Sequence, residues 1–155
     1  MALVYFGLGT NLGDKERNLS LAIDKIKERI GKIVSQSAFH SSEPWGFEST
    51  NSFLNAVICV ETSLSPFQLL EETQLIEREI GRSKKSVGRI YKDRLIDIDT
   101  LLYDDLILHT EKLDIPHPLM TERPFVMKPL SEIAPELVIP ETGKTVQMIC
   151  DDLSL

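Results

Sequence analysis

Residues 94–103 read R-L-I-D-I-D-T-L-L-Y, and this stretch decides the fold because it closes a strand, helix, strand, strand, helix, strand order. Its β-branched and apolar composition predicts a buried strand. Asp97 and Asp99 stand in the middle of it. Side chains alternate across a strand, so both carboxylates share one face, with a rise of roughly 6–7 Å between them. Like charges side by side in a buried run repel, and each resists losing its water. A divalent cation, or a pair of them, turns that penalty into an attraction. The plain alternative is structural: Asp97 and Asp99 salt-bridged to Arg82 and Arg94.

Immediately upstream, residues 82–94 carry Arg82, Lys84, Lys85, Arg89, Lys92 and Arg94, with Asp93 the lone acid. This segment, with Gly88 and two serines, reads as a loop. The chain as a whole has a net charge of −7, which argues against a general nucleic-acid binder. A basic cluster in an acidic protein suggests a specific small-anion site. Mg²⁺ prefers a couple of carboxylates together with phosphate oxygens and water. Phosphoryl transfer depends mainly on positioning and charge neutralisation, so this pairing of acidic strand and basic loop fits such chemistry.

Working back from the loop, Ser65 caps a predicted helix, with Pro66 at its first position and Gln68 completing a capping box. Leu69, Thr73, Ile76 and Ile80 form its buried stripe, and Gly81 ends it. Gln74 and Glu77 sit together on the stripe's flank, where they either reach a ligand over the sheet edge or are simply solvated. Residues 53–62, F-L-N-A-V-I-C-V-E-T, predict a strand with Leu54, Ala56, Ile58 and Val60 on one face. Phe53 and Asn55 fall on the other. An aromatic beside an amide suits a planar heterocycle, and equally suits a sheet edge and a turn. Residues 41–52, with Pro44, Trp45, Gly46 and Phe47, form a loop whose aromatics either pack it down or close over a flat ligand.

Residues 2–8 alternate as a first strand, and Gly7, Gly9 and Gly13 are read as a turn before a helix. Their spacing is one residue too long for a dinucleotide fingerprint, and no P-loop lysine follows. Leu19, Ala22, Ile23, Ile26 and Ile30 recur at helical spacing, with Asp14 at the start and Gly31 as the C-terminal stop. Residues 33–40 form a weaker strand. After a turn at Asp104 and Asp105, short strands are expected at 106–108 and 113–115, and I-P-H-P (115–118) makes a stiff corner presenting His117. Residues 120–155, punctuated by proline, are expected to pack beneath the sheet. Helical crossovers flanking an adjacent strand pair give the split β-α-β arrangement of ferredoxin-like α+β folds.

At 155 residues, 42% hydrophobic and 26% charged, the chain reads as one soluble domain, 1–155. No apolar run approaches the ~20 residues of a membrane span, and the first residues lack the marks of a leader. A cytoplasmic protein is the expectation. Cys59 and Cys150 read as free thiols.

An ordered set of short motifs completes the reading: G-T-N-L-G (9–13), E-P-W-G (43–46), F-L-N-A (53–56), T-Q-x-I-E (73–77), G-R (81–82), R-x-x-D-I-D (94–99), I-P-H-P (115–118), R-P-F (123–125) and P-L-x-E-I-A-P-E-L (129–137). Together they resemble the 6-hydroxymethyl-7,8-dihydropterin pyrophosphokinases of folate biosynthesis, over nearly the whole chain. The resemblance implies transfer of pyrophosphate from ATP, the co-substrate, to the pterin hydroxymethyl group on a ferredoxin-like fold, with release of AMP. It implies Asp97 and Asp99 as ligands of two Mg²⁺ ions, and these two with Arg82 and Arg94 as the catalytic set. ATP contacts are implied for Gln74, Glu77, Arg82, Lys84, Arg94, Thr100, His117 and Arg123. Lys84 stands where the family has an arginine, and Thr100 where it has an aliphatic residue. Pterin contacts are implied for Ser42, Glu43, Pro44, Trp45, Phe53, Asn55, Asp97 and Phe125. Small molecules are the only partners implied, with neither nucleic acid nor membrane. The competing class is a non-catalytic ferredoxin-like ligand-binding module, since one fold hosts many functions.

Overall fold

The computed structural model describes residues 1–42, 52–81 and 95–155. Its centre is a five-stranded antiparallel sheet built from β1 (Ala2–Thr10), β2 (Gly31–Gln36), β3 (His40–Ser42), β4 (Phe53–Thr62) and β5 (Asp97–Tyr103). The strand order is β2-β4-β1-β5, with β3 also paired to β4, so β2 and β3 act as one interrupted edge strand. Helices α1 (Lys15–Arg29) and α2 (Pro66–Gly81) make the crossovers, as the ferredoxin-like expectation requires.

Both helices begin where capping chemistry directs them. The Asp14 carboxylate accepts from the Arg17 N–H at 3.2 Å. Ser65 and Gln68 form the reciprocal capping box, at 2.8 and 3.3 Å. Their apolar stripes cover one sheet face: Leu19, Ala22 and Ile26 of α1 and Leu69, Ile76 and Ile80 of α2 pack on Val4, Phe6, Leu8, Ala56, Ile58, Val60 and Ile98. Each fully buried side chain of this kind contributes about 1.5–3 kcal/mol.

The opposite face is covered by the C-terminal third. Here α3 (Pro124–Ile133) and α4 (Val146–Asp152) bring Val126, Met127, Leu130, Val146 and Ile149 against Val57, Leu101 and Leu102. Between β5 and α3 lies a small hairpin, β6 (Leu108–His109) with β7 (Asp114–Ile115); a second, β8 (Val138–Ile139) with β9 (Lys144–Thr145), precedes α4.

Several local expectations are corrected. Gly7 and Gly9 are strand residues, not a turn; of the three glycines, Gly13 alone adopts the left-handed conformation, at φ 69°. α1 ends at the C-cap Ile30, just before Gly31, and Gly31 itself opens β2: a Cβ there would stand 2.0 Å from the Glu61 carbonyl oxygen, so close strand approach is what demands glycine. The weak strand over 33–40 is broken at 37–39, and β5 starts at Asp97, with Leu95 and Ile96 outside it. The strand expected at 106–108 is reduced to Leu108–His109.

Candidate active site

The register of three strands places the candidate residues. Gly9 of β1 pairs with Asn55 of β4 on one side and Asp97 of β5 on the other. Gly7 pairs with Val57 and Asp99. Alternation turns Asp97 and Asp99 to the face opposite Ile98, which lies in the α1/α2 core. Asn55, Gly9 and Asp97 therefore form one row across the sheet. With strands spaced at roughly 4.8 Å, Asn55 and Asp97 stand about 10 Å apart over a residue with no side chain. The two glycines are not equivalent. A Cβ on Gly7 would meet the Leu101 side chain at 3.4 Å, whereas on Gly9 it would stand 3.1 Å from Asn55 Oδ1 and 3.6 Å from Phe53. Gly7 admits the Leu101 side chain; Gly9, itself buried, lets the Asn55 amide and the Phe53 ring lie close over the backbone.

Asn55 is buried, and its amide is held: Nδ2 donates to Ser42 Oγ at 2.7 Å and lies 3.5 Å from the His40 carbonyl. Oδ1 is thus the group turned towards Gly9. Asp97 and Asp99 are half-buried. Among the described residues no three His, Cys, Asp or Glu side chains gather in a metal-binding group. Two hard carboxylates on one face, with coordination left for phosphate and water, fit Mg²⁺.

A cleft of about 250 Å³ opens where the β5 edge meets α2 and the first hairpin. Leu70 and Thr73 line it from α2, Ile98, Asp99 and Thr100 from β5, and residues 111–114 with His117 and Pro118 from the far side. Thr73 and Thr100 supply hydroxyls, and Leu70, Ile98 and Leu113 an apolar wall. Gln74 is exposed, one turn beyond Leu70 on α2, and is not part of the cleft lining. Glu77 reaches over the sheet edge to accept from the Ile98 backbone N–H at 2.7 Å, so at least one of its oxygens serves the edge strand.

His117 follows a cis Ile115–Pro116 bond, and its N–H donates to the Leu101 carbonyl at 3.0 Å. Burial, and then the Arg123 cation, push its imidazole below the ordinary histidine range, while Asp97 and Asp114 pull the other way. His117 Nδ1 accepts from the Leu119 N–H at 3.4 Å, so the neutral ring carries its proton on Nε2. Arg123 lies over the Phe125 ring, 5.5 Å from its centroid, in cation–π range. Phe125 is partly buried against the second core.

The structure thus brings Ser42, Phe53 and Asn55 to the β3–β4 side, and Asp97, Asp99, Thr100 and His117 to the β5 side, with Arg123 near His117. Glu43, Pro44, Trp45, Arg82, Lys84 and Arg94 lie outside the described residues. Residues the sequence reading did not single out are Gly9 as part of the site, and Leu70, Ile98 and 111–114 as cleft wall. For Gly9 a signal existed: a glycine at i+2 from another inside an alternating strand bares one face. For 111–114 no chemistry-bearing pattern marks the segment.

Residues 5–135 match the family model described as 7,8-dihydro-6-hydroxymethylpterin-pyrophosphokinase. The chain is 48% identical over 138 residues to a 2-amino-4-hydroxy-6-hydroxymethyldihydropteridine pyrophosphokinase of Porphyromonas gingivalis, covering 88% of this chain and 94% of the relative. An enzyme of the same name from Aquifex aeolicus is 41% identical over 140 residues, covering 90% and 85%. Among solved structures, wild-type HPPK-DHPS of Plasmodium falciparum superposes with a TM-score of 0.80 at 15% identity over 98% of this chain. The chain spans 44% of that one, a likeness of fold.

Proposed function

We propose, from the premise that the chain belongs to the 7,8-dihydro-6-hydroxymethylpterin-pyrophosphokinase family, the following division of labour among its residues. The protein transfers pyrophosphate from ATP to 6-hydroxymethyl-7,8-dihydropterin in folate biosynthesis, giving the pterin diphosphate and AMP. The observation that carries the assignment of residues is the row Asn55–Gly9–Asp97: a held amide and a carboxylate face each other across a bare backbone.

On the β3–β4 side, Asn55 presents Oδ1 to ring N–H donors of the pterin, with Phe53 against the ring and Phe125 as the second aromatic. Ser42 fixes the amide, and Glu43, Pro44 and Trp45 complete the pterin contacts. On the β5 side the apolar and hydroxyl-bearing cleft receives the nucleotide, with Thr100 in its wall; Gln74 and Glu77, on α2 outside that lining, are further ATP contacts. His117, neutral with a proton on Nε2, donates to a phosphate oxygen. Arg123, Arg82, Lys84 and Arg94 supply positive charge to the phosphates.

Asp97 and Asp99 hold two Mg²⁺ ions, which when bound neutralise charge on the phosphates. The pterin hydroxyl oxygen forms a bond to the β-phosphorus as the bond from that phosphorus to the α–β bridging oxygen breaks. AMP leaves with the bonding pair. Asp97, in the same row as Asn55, takes up the hydroxyl proton. The protein acts as one domain over residues 1–155, with ATP and pterin as its partners and no nucleic acid, and its place is the cytoplasm. No helix among the described residues is long and apolar enough to cross a membrane.

The test is product analysis. ATP and Mg²⁺ should yield AMP only when the hydroxymethyl pterin is present, in equal amount to the pterin diphosphate. ADP as the product, or AMP formed without pterin, contradicts the assignment.

A further inference from the structure

Glu132, in the last turn of α3, belongs neither to the cleft lining nor to the row through Gly9, yet both its oxygens are engaged with the edge strand. Oε1 accepts from the Ala38 backbone N–H at 2.9 Å, and Oε2 meets His40 Nε2 at 2.6 Å. These contacts fall on Ala38, in the break between β2 and β3, and on His40, the first residue of β3. On the near side of that break Ser37 is tied to β4, its N–H donating to the Val57 carbonyl and its Oγ accepting from the Val57 N–H, each at 2.9 Å. Beyond it, β3 is only three residues long and pairs with Asn55, Leu54 and Phe53 alone. So short a strand gains little from its own ladder, and an outside anchor decides where it sits.

The position of β3 sets the position of Asn55. The amide Nδ2 is held by Ser42 Oγ and approaches the His40 carbonyl, and both belong to β3. With Nδ2 held there, Oδ1 lies over Gly9. A shift of β3 would release the amide or let it turn its NH₂ towards the ligand, exchanging an acceptor for a donor.

We infer that Glu132 is a positioning residue for the pterin side of the site, acting through β3 to fix the orientation of the Asn55 amide. This rests on the assignment of Asn55 to the pterin. The same helix carries Phe125 at its start, so α3 sets both the amide and an aromatic of that half-site from one rigid element. The Glu132 side chain is 36% exposed, so its worth lies in geometry more than in ion-pair energy.

The test uses Glu132→Ala, with Glu132→Asp, one methylene shorter, carrying the same expectation should the alanine variant not fold. The KM for pterin should rise roughly five-fold or more, from the loss of two hydrogen bonds that hold the strand, while the KM for ATP stays within about two-fold. In the ligand-free protein, the Asn55 side-chain NH₂ resonances should shift and exchange faster with solvent. Glu132→Gln keeps an acceptor for Ala38 and should restore most of both readouts. Unchanged Asn55 resonances, or pterin and ATP KM values that rise together, overturn the inference. The resonance readout needs no ligand, so failure of wild-type protein to bind pterin is a separate result that strikes only the assignment of Asn55.

Discussion

Towards α1 and α2, β1 presents Val4, Phe6 and Leu8, all fully or nearly fully buried; on its other face it presents Tyr5, Gly7 and Gly9. One strand thus carries a filled face and an emptied one. On the filled face these side chains join the α1 and α2 stripes in one buried cluster. On the emptied face the cover comes from α3 and α4, which pack over Val57, Leu101 and Leu102. The row Asn55–Gly9–Asp97 lies beyond them along the strands. The two-residue period of a strand separates the packed face from the face that carries Asn55, Asp97 and Asp99, and a register error of one residue would exchange them.

Substitutions on the two faces should therefore fail in different ways. Phe6→Ala leaves a cavity in the packed face and should cost about 3–5 kcal/mol of unfolding free energy, read by denaturant titration, with kcat of the surviving folded protein little changed. Asp97→Ala should reverse that pattern. Turnover should fall about 10²–10³-fold, some 3–4 kcal/mol, while stability holds or improves as one of two neighbouring like charges disappears. A loss of stability larger than the loss of activity would point to the structural salt-bridge reading of the aspartates. Gly9→Ala comes next: Asn55 Oδ1, at 3.1 Å from the new Cβ, must give way. A roughly ten-fold rise in pterin KM with unchanged melting temperature is expected, since small misplacements in a site are costly and added methyl groups in strands are not.

The smallest effect distinguishes two histidines near one hairpin. His109 is exposed between Glu141 and Asp114, at 3.0 and 3.1 Å, and these carboxylates, Glu141 foremost, raise its pKa. Burial lowers that of His117. The signs oppose. His109 favours the fold below its unfolded pKa, and that contribution is lost as pH rises through its folded value. His117 favours the fold above its unfolded pKa and loses that contribution as pH falls through its folded value. An NMR titration should place His109 above and His117 below 6.5, the ordinary histidine value. Adding nucleotide should move His117 upward and leave His109 in place. Equal response of the two would remove His117 from the phosphate side.

Where periodicity was unbroken, sequence and structure agree closely. The strand expected at 53–62 is β4, and the stripe Leu69, Thr73, Ile76 and Ile80 is buried as its spacing requires. Legibility failed where a residue with a strong local meaning served a tertiary purpose. Gly7 and Gly9 suggested a turn, because glycine most often marks one, although the alternation continues through Leu8 to Thr10. Gly31 marked the end of α1 correctly, but the demand for glycine there comes from contact with Glu61, which the sequence did not show. Pro129 disguised α3, since a proline inside a helix costs a hydrogen bond; burial of Val126, Met127 and Leu130 outweighs it, and Pro124 at the first helical position costs none. Within the site, Asn55, Asp97 and Asp99 were legible as polar groups in apolar strands. The gap between them was not, because it depends on which strands are neighbours.

The central claim, that this face divides into a pterin side and a metal–phosphate side across Gly9, is tested most directly by calorimetry on two variants. The titrants are the hydroxymethyl pterin and Mg²⁺ with α,β-methylene ATP, each added alone. Asn55→Ala should lose pterin affinity and keep the nucleotide; Asp99→Ala should lose Mg²⁺-dependent nucleotide affinity and keep whatever affinity the wild type shows for pterin alone. Each variant losing the other's ligand, or both losing the two together without loss of fold, would contradict it.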